Sequence, residues 1–277
     1  IIFKTRIAND PSCILKSSKI SKTAIKTQYT RNSDTTPLAN TDAKKTKYVK
    51  DMFGDISGRF DLLNWIMTLG MHHKWRETAA NIACDDMKGE VLNGLDIAAG
   101  TGDFAFQVIE HNNVNYVAAM DLSQEMLMVA RRKYKVRSLT QAIDFVVGDV
   151  IDMPFTDEVF SVITVGFGFR IFADLEGSLR VMSRVSIRGG RVTILEIVKP
   201  EGVLMSRVFP IYFKKLTPIL GSLFAGNIEA YRYLPQSVSN FVTARQIKHM
   251  MEVAGLRDVT VKELAMGSVA IISGNKH

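Results

Sequence analysis

Cysteine and long apolar runs are both scarce in this sequence. Only two of its 277 residues are cysteines, Cys13 and Cys84, which excludes a disulfide scaffold or a zinc site built from cysteines and favours a reducing compartment. No run of about 18 apolar residues occurs, so no transmembrane helix is predicted. The chain does have 47% hydrophobic residues against 23% charged ones, enough for one sizeable core or two modest ones. This composition argues against a disordered, collagen-like or coiled-coil protein.

The positive charge is confined to the beginning of the chain. The formal net charge is +7, and residues 1–47 hold ten bases against three acids, which leaves 25 of each in the remainder. We expect residues 1–47 to be a disordered basic arm, because they are rich in Ser, Thr and Lys and lack a sustained apolar period. A solvated tail and an organelle transit peptide are equally compatible with this composition. The neutral remainder argues against nucleic acid as a partner.

From residue 48 onward, short β-like runs alternate with helical patterns. This alternation is typical of an α/β domain with a mainly parallel sheet and helices on both faces, and we expect one such domain over 48–277. The seven predicted strands are 91–97, 116–120, 143–147, 160–165, 190–197, 258–263 and 269–273, and helices are predicted over 123–132, 175–185 and 243–254. Two helical or apolar segments lie outside the alternation, at 48–83 and 203–233.

A glycine turn directly follows the first predicted strand. The run from Asp96 to Gly102 places Gly-x-Gly between a strand and a helix, where small residues let a ligand approach the backbone and the helix N-terminus offers free N–H groups. Asp121 ends the next strand, and its carboxylate can accept hydrogen bonds from both hydroxyls of a ribose. This combination predicts a cofactor that contains a nucleoside.

Carboxylates around the turn distinguish between two cofactor classes. The glycines also satisfy the looser dinucleotide fingerprint. Asp96 and Asp103 flank the turn, however, where they would repel a pyrophosphate but suit the positively charged amino-acid end of S-adenosylmethionine. Asp149 follows the third strand and is placed to meet an adenine edge. Helix capping could explain any one of these acids, but not four acids near successive strand ends.

Eight stretches of the chain carry a more specific pattern. They are Phe-Asp-Leu-Leu-Asn at 60–64, Gly-Met-His-His-Lys-Trp at 70–75, the turn region 96–106, Asp-Leu-Ser-Gln-Glu-Met-Leu at 121–127, Met-Pro-Phe at 153–155, Phe-Gly-Phe-Arg at 167–170, Ile-Leu-Glu at 194–196 and Tyr-Arg-Tyr-Leu at 231–234. In order and spacing they resemble the UbiE-like C-methyltransferases of ubiquinone and menaquinone biosynthesis, a family of class I S-adenosylmethionine-dependent methyltransferases. The resemblance runs from about residue 49 to the C-terminus.

The resemblance implies a Rossmann-like seven-stranded fold and C-methylation of a polyprenylated benzoquinol or naphthoquinol. It implies that 48–83 and 203–233 form a helical substrate cap, and that Arg170 helps to remove the ring proton. Because arginine is not an ordinary base, stabilising a phenolate or positioning a water is the sounder role. The expected cofactor contacts are Asp96, Gly100, Thr101, Gly102, Asp121, Asp149, Val150 and Gly166, and the implied substrate contacts are Asn64, His72, Tyr231 and Tyr233.

Several residues depart from the family pattern. Ile171 stands where the family usually has Asn beside the arginine, and Gly166 stands where it usually has a Ser that contacts the cofactor. These departures leave open a methyltransferase of the same fold that acts on another lipid or phenolic molecule. A non-catalytic cofactor-binding subunit of a quinone-synthesis complex is a further alternative. Without the resemblance, a salt bridge at a strand end would be the favoured interpretation of Arg170.

The remaining expectations concern partners and location. His72 and His73 are adjacent rather than at helical ligand spacing, so no metal site is predicted.

The apolar segment 203–216 has a basic edge and could line a tunnel for an isoprenoid tail, rest on a bilayer or form a dimer interface. The expected partners are thus a polyprenyl quinol, a membrane surface, and a second copy or a quinone-synthesis complex. If the arm is a transit peptide, we expect the matrix face of the mitochondrial inner membrane, and otherwise a cytoplasmic protein peripheral to the membrane.

Overall fold

The computed structural model describes residues 60–87, 91–137, 141–202 and 241–277, together with the single residues 47, 54, 57 and 139. The predicted arm, except for Lys47, lies outside the described residues. So does the predicted cap segment 203–233, including Tyr231 and Tyr233. The domain boundary at 47/48 therefore stays a prediction.

One sheet of seven strands is confirmed. The strands are β1 (Leu92–Ile97), β2 (Val114–Asp121), β3 (Ala142–Val147), β4 (Phe160–Gly166), β5 (Ser186–Ile197), β6 (Leu256–Leu264) and β7 (Val269–Lys276). Their order is β3-β2-β1-β4-β5-β7-β6. Neighbours from β3 to β5 pair in parallel, whereas β7 runs antiparallel to both β5 and β6. The strand order reverses between β1 and β4, and open α/β sheets bind their ligands in the crevice at such a point.

Helices cover both faces of this sheet. They are α1 (Phe60–Thr68), α2 (Met71–Cys84), α3 (Asp103–Ile109), α4 (Gln124–Arg137), α5 (Leu175–Val185) and α6 (Ala244–Val253). Residues of α2 and α3 join one buried apolar cluster, and residues of α5 and α6 join another. Strand β2 shows why two clusters form: Tyr116, Ala118 and Met120 face one of them and Val117 and Ala119 the other, following the period of two of a strand.

Several element boundaries differ from the sequence prediction, and two of the differences follow from the backbone conformation. The helical stretch predicted over 48–83 is interrupted at Leu69 and Gly70, whose positive φ angles of 51° and 76° end α1 and start α2. Strand β5 begins at Ser186 rather than at 190, because a register shift against β4 accommodates extra residues around Gly189, which also has a positive φ. Among the described residues, no helix is long and apolar enough to cross a membrane.

Candidate active site

The glycine turn between β1 and α3 has positive φ angles and leaves no room for a side chain at Gly102. Ala98, Gly100 and Gly102 have φ angles of 53°, 54° and 87°. A Cβ at Gly102 would lie 2.9 Å from the ring of Phe106, so this position cannot carry a side chain without displacing the ring. At Gly100 the nearest atom to such a Cβ belongs to Phe60 of α1, at 3.8 Å. The turn is therefore open at Gly100, with the first helix of the predicted cap beside it.

Asp121 connects the end of β2 to this turn. Its Oδ2 accepts a hydrogen bond from the Gly100 N–H at 2.8 Å, and its Oδ1 accepts one from the Ser123 N–H at 2.8 Å. Burial raises the pKa of Asp121, while the backbone N–H donors oppose that shift. Each carboxylate oxygen can accept a second hydrogen bond. The carboxylate thus keeps the acceptor capacity that the predicted ribose contact requires.

Asp96 supplies an unsatisfied acceptor next to the turn. Its carboxylate is buried, and Oδ1 accepts a hydrogen bond from the Thr164 hydroxyl at 2.8 Å. Its Oδ2 has no hydrogen-bond partner in the part of the chain that the structure describes. Burial raises the pKa of Asp96 to about 7, against the opposing effects of the Thr164 hydrogen bond, the Arg76 charge and a hydrogen bond from the Ala105 backbone N–H. A buried oxygen without a partner is expected to receive a donor from a ligand, and an ammonium group fits it.

Asp103 was expected to share that role, but protein cations occupy it. Lys133 Nζ contacts one carboxylate oxygen, and Arg76 Nη1 lies 3.4 Å from the other. Burial alone would raise the pKa of Asp103, but the charges of Arg76 and Lys133 outweigh burial and hold it below its ordinary value. Of the two acids that flank the turn, only Asp96 keeps an oxygen for a cationic ligand.

Thr101 and Asp149, both predicted to contact the cofactor, form hydrogen bonds within the protein. The Thr101 hydroxyl is buried and donates to Asp61 Oδ1 of α1 at 2.6 Å, so its proton is used within the protein. Asp149 lies beyond β3, and its Oδ1 accepts the Ile151 N–H at 3.1 Å. The neighbouring Val150 is buried in an apolar cluster. A cofactor contact at Val150 would therefore have to involve its backbone rather than its side chain.

Packing explains the glycine at 166. A Cβ at Gly166 would lie 2.6 Å from Cδ1 of Phe104, the second residue of α3. The ring of Phe104 thus fills the space that a serine side chain would need. If Gly166 contacts the cofactor, it does so through its backbone.

Arg170 lies in a buried ion pair with Glu196. Its Nη1 is 2.5 Å from Glu196 Oε1 and donates to the Phe167 carbonyl at 2.8 Å. Glu196 is fully buried and also accepts the backbone N–H groups of Arg170 and Ile197, at 3.0 and 2.8 Å. The salt bridge weighed from the sequence is therefore present. It uses one nitrogen of the guanidinium, and Nε is buried without a hydrogen-bond partner among the described residues.

The backbone carbonyl of Asn64 and the ring of His72 are connected through Thr68, in the described part of the predicted cap. The Thr68 hydroxyl donates to the Asn64 carbonyl at 2.7 Å, and it lies 2.6 Å from His72 Nδ1. Because the hydroxyl proton is already used, Nδ1 carries the ring hydrogen and Nε2 keeps its lone pair. Burial, followed by the charge of Arg76, lowers the pKa of His72 to about 4, so the ring is neutral at neutral pH. His72 therefore offers an acceptor, not a cation.

Four charged residues at this site were not predicted as site residues. They are Asp61, Arg76, Lys133 and Glu196. Asp61 and Glu196 fall inside family-like stretches of the sequence, which could have pointed to them. Lys133 stands in an unremarkable basic helix, and no local signal distinguishes it from its neighbours. No group of three His, Cys, Asp or Glu side chains that could hold a metal ion occurs within the described ranges.

Comparison with known proteins places the chain in a family. A model of the ubiE/COQ5 methyltransferase family matches residues 40–276. The chain is 38% identical to the demethylmenaquinone methyltransferase of Thermus thermophilus, over 81% of this chain and all of that protein. It is 34% identical to the demethylmenaquinone methyltransferase of Bacteroides fragilis, over 87% of this chain and 96% of that one. It is 33% identical to the ubiquinone/menaquinone biosynthesis C-methyltransferase UbiE of Geotalea daltonii, over 84% and 98%.

Solved structures share the fold at low sequence identity. A SAM-dependent methyltransferase from Thermotoga maritima aligns with a TM-score of 0.56 at 17% identity, covering 82% of this chain and 99% of that one. The [4+2]-cyclase SpnF aligns with a TM-score of 0.55 at 15% identity, covering 72% and 80%. These likenesses confirm the predicted Rossmann-like α/β fold. Since one of the two is a cyclase, the fold alone does not specify the reaction.

The raised pKa of Asp96 predicts that the affinity for S-adenosylmethionine depends on pH. Its ammonium group should bind the ionised carboxylate, so binding below pH 7 must displace a proton. From pH 8 to pH 6 the dissociation constant should rise about tenfold. Isothermal titration at several pH values measures this. Asp96→Asn should bind more weakly and lose most of the dependence, and an unchanged pH slope in that variant would show that another group titrates.

The contact between Gly166 and Phe104 predicts the effect of restoring the family serine. Gly166→Ser should destabilise the fold by about 1–3 kcal/mol, because Phe104 must move. Combining it with Phe104→Leu should cost less than the sum of the two single changes, as measured by urea unfolding. Strict additivity would mean that the ring does not occupy the serine position.

Proposed function

This chain belongs to the ubiE/COQ5 methyltransferase family, and on that premise we propose that it transfers a methyl group from S-adenosylmethionine to a ring carbon of a polyprenylated quinol. The observation that carries the cofactor assignment is the free Oδ2 of Asp96 beside an open glycine turn. An ammonium group would satisfy this oxygen, whereas a pyrophosphate would be repelled by it.

Two of the other expected cofactor contacts, Asp121 and Asp149, support this proposal. Asp121 can accept hydrogen bonds from ribose hydroxyls while it holds the turn through Gly100. Asp149, beyond the neighbouring strand, would accept a hydrogen bond from the adenine amino group. The cofactor supplies an electrophilic methyl group on a sulfonium. The residues of the chain must then orient the acceptor ring, exclude water and manage one proton.

Arg170 is proposed to stabilise the ring oxygen. A ring carbon becomes an adequate nucleophile only when a neighbouring hydroxyl ionises, so the site must favour the phenolate. Glu196 and the Phe167 carbonyl use one nitrogen of Arg170, and the Nε side of the guanidinium is left for a ligand oxygen. Once the bound cofactor has supplied its methyl group, the methylated ring carbon would have to release one proton. Because a guanidinium only donates hydrogen bonds, a water positioned by Arg170 takes that proton.

The names of the relatives favour one ring type. The proteins from Thermus thermophilus and Bacteroides fragilis are named demethylmenaquinone methyltransferases, so we propose a naphthoquinol as the first acceptor to test. The name of the Geotalea daltonii protein includes ubiquinone, and a benzoquinol is the second candidate. A prenylated quinol resides in the bilayer, which supports the proposal of a peripheral membrane contact. The role of the basic arm in location stays a prediction.

A transfer assay tests the proposed reaction. Purified protein, labelled S-adenosylmethionine and each reduced quinol should give a ring-methylated product with at least one of the two rings. Cofactor binding without transfer to either ring would favour the non-catalytic subunit. Transfer only to another phenolic lipid would favour a different acceptor.

Changing Arg170 tests its role. Arg170→Lys keeps a positive charge beside Glu196 but loses the Nε side of the guanidinium, so kcat should fall about 10²–10³-fold. The dissociation constant for S-adenosylmethionine, measured by titration, should stay within about threefold, since no cofactor contact is assigned to this side chain. Arg180→Lys, on the exposed surface of α5, is the matched control. Near-normal kcat in Arg170→Lys would contradict the role proposed here.

A further inference from the structure

The ammonium of Lys133 lies where three parts of the molecule meet. Its Nζ is 2.9 Å from Asp61 Oδ2 of α1, 3.2 Å from Thr101 Oγ1 of the glycine turn, and in contact with Asp103 Oδ1 at the start of α3. We propose that Lys133 is a positioning residue, which holds α1 in place beside the cofactor turn and thereby controls how tightly the cofactor is retained. The identity of the cofactor rests on the proposed function, but the attachment of α1 does not.

Lys133 has no donor left for a ligand. An ammonium group has three hydrogen-bond donors, and three oxygen atoms of the protein surround this one. Its side chain is only 24% exposed, although it lies on a helix whose neighbouring positions Arg132 and Lys135 are exposed. A lysine directed inward and fully used by the protein acts through the groups that it holds, not by touching a substrate.

The carboxylate of Asp61 attaches α1 at two points. One oxygen accepts the Lys133 ammonium and the other accepts the Thr101 hydroxyl at 2.6 Å. The preceding residue, Phe60, places its ring edge next to Gly100, at the open part of the turn. Fixing Asp61 therefore also fixes the aromatic ring that borders the cofactor crevice.

Apolar contacts hold this helix only in part. Met67 packs against the apolar cluster that contains α2 and α3, whereas Leu62 and Trp65 are 53% and 54% exposed and contribute little to docking. The polar contacts of Asp61 add to this attachment at the end of α1 that borders the glycine turn. A hydrogen-bonded ion pair that is partly shielded from water contributes more than an exposed one.

The same charges connect the second helix of the cap. Asp103 also pairs with Arg76 of α2, whose guanidinium lies 5.6 Å from the centre of the Phe167 ring. The Phe167 carbonyl in turn accepts the hydrogen bond from Arg170. Lys133 is thus the point at which α1 joins a connected group that reaches from the cofactor turn to the proposed phenolate site.

This arrangement links the position of α1 to cofactor binding. If α1 detaches, Thr101 loses its acceptor and Phe60 leaves the edge of the crevice, so the turn is less ordered and the cofactor escapes faster. Thermodynamic reciprocity requires that a bound cofactor, in turn, stabilises the attached state of α1.

Hydrogen exchange and ligand binding test the inference together. The variants are Lys133→Met and Asp61→Asn, with Lys135→Met as the matched control on the exposed side of the same helix. In protein without ligand, backbone amides of 60–68 should exchange about tenfold faster in both test variants. The dissociation constant for S-adenosylhomocysteine, measured by titration, should rise about tenfold in both, and Lys135→Met should match the wild type. The dissociation constant of the double variant should be no higher than that of the weaker-binding single variant, because both changes remove the same contact between Lys133 and Asp61.

Wild-type exchange over 60–68 in both test variants, or effects that multiply in the double variant, would overturn the inference. If Lys133→Met does not fold, Asp61→Asn decides alone, since its carboxylate is partly exposed and its loss leaves Lys133 paired with Asp103. Lys133→Arg should recover part of the binding. If wild-type protein does not bind S-adenosylhomocysteine, the proposed function fails, while the exchange measurement still decides whether Lys133 holds α1.

Discussion

The carboxylate of Asp121 is the constraint on which the site depends. It accepts the N–H of Gly100 from the neighbouring strand-to-helix turn and the N–H of Ser123 from its own. The first of these bonds joins the carboxyl ends of β1 and β2, next to the point between β1 and β4 where the strand order reverses. A turn with positive φ angles at alternate residues, Ala98, Gly100 and Gly102, is costly to order, and a buried acceptor offsets part of that cost. The same residue then presents its remaining lone pairs to the crevice.

Charge at the site is arranged so that some acids are used by the protein and others are left for a ligand. Asp96 and Asp103 flank one turn, yet their surroundings differ. Lys133 and Arg76 compensate Asp103 and lower its pKa, whereas burial without full compensation raises the pKa of Asp96 to about 7. An uncompensated buried carboxylate is unfavourable in the empty protein, and that cost is relieved when a cationic ligand arrives. At Arg170 the roles are reversed: the carboxylate of Glu196 compensates the cation, and only part of the guanidinium is left for a ligand.

Local sequence patterns were sufficient for the fold, and they predict where the site lies. Alternating strands and helices predicted the sheet, and acids at strand ends predicted the crevice, because parallel strands bring their carboxyl ends to one edge. Element boundaries were less certain where backbone conformation depends on packing, as at Leu69 and at the start of β5. The resemblance to the family identified Arg170, which composition and spacing alone would have assigned to a salt bridge. The salt bridge to Glu196 is present, and the role of Arg170 in the reaction stays a prediction.

By itself, the sequence determined the class of fold, the cofactor turn and the family, because each depends on contacts between residues that are close in the chain or on strand ends that topology must bring together. Only the tertiary structure decided which acids are free, why residue 166 is glycine, and what Lys133 holds. These outcomes depend on pairs far apart in sequence: Lys133 meets Asp61 across 72 positions, and Arg170 meets Glu196 across 26. No local period encodes such distances, since the packing of helices on the sheet sets them.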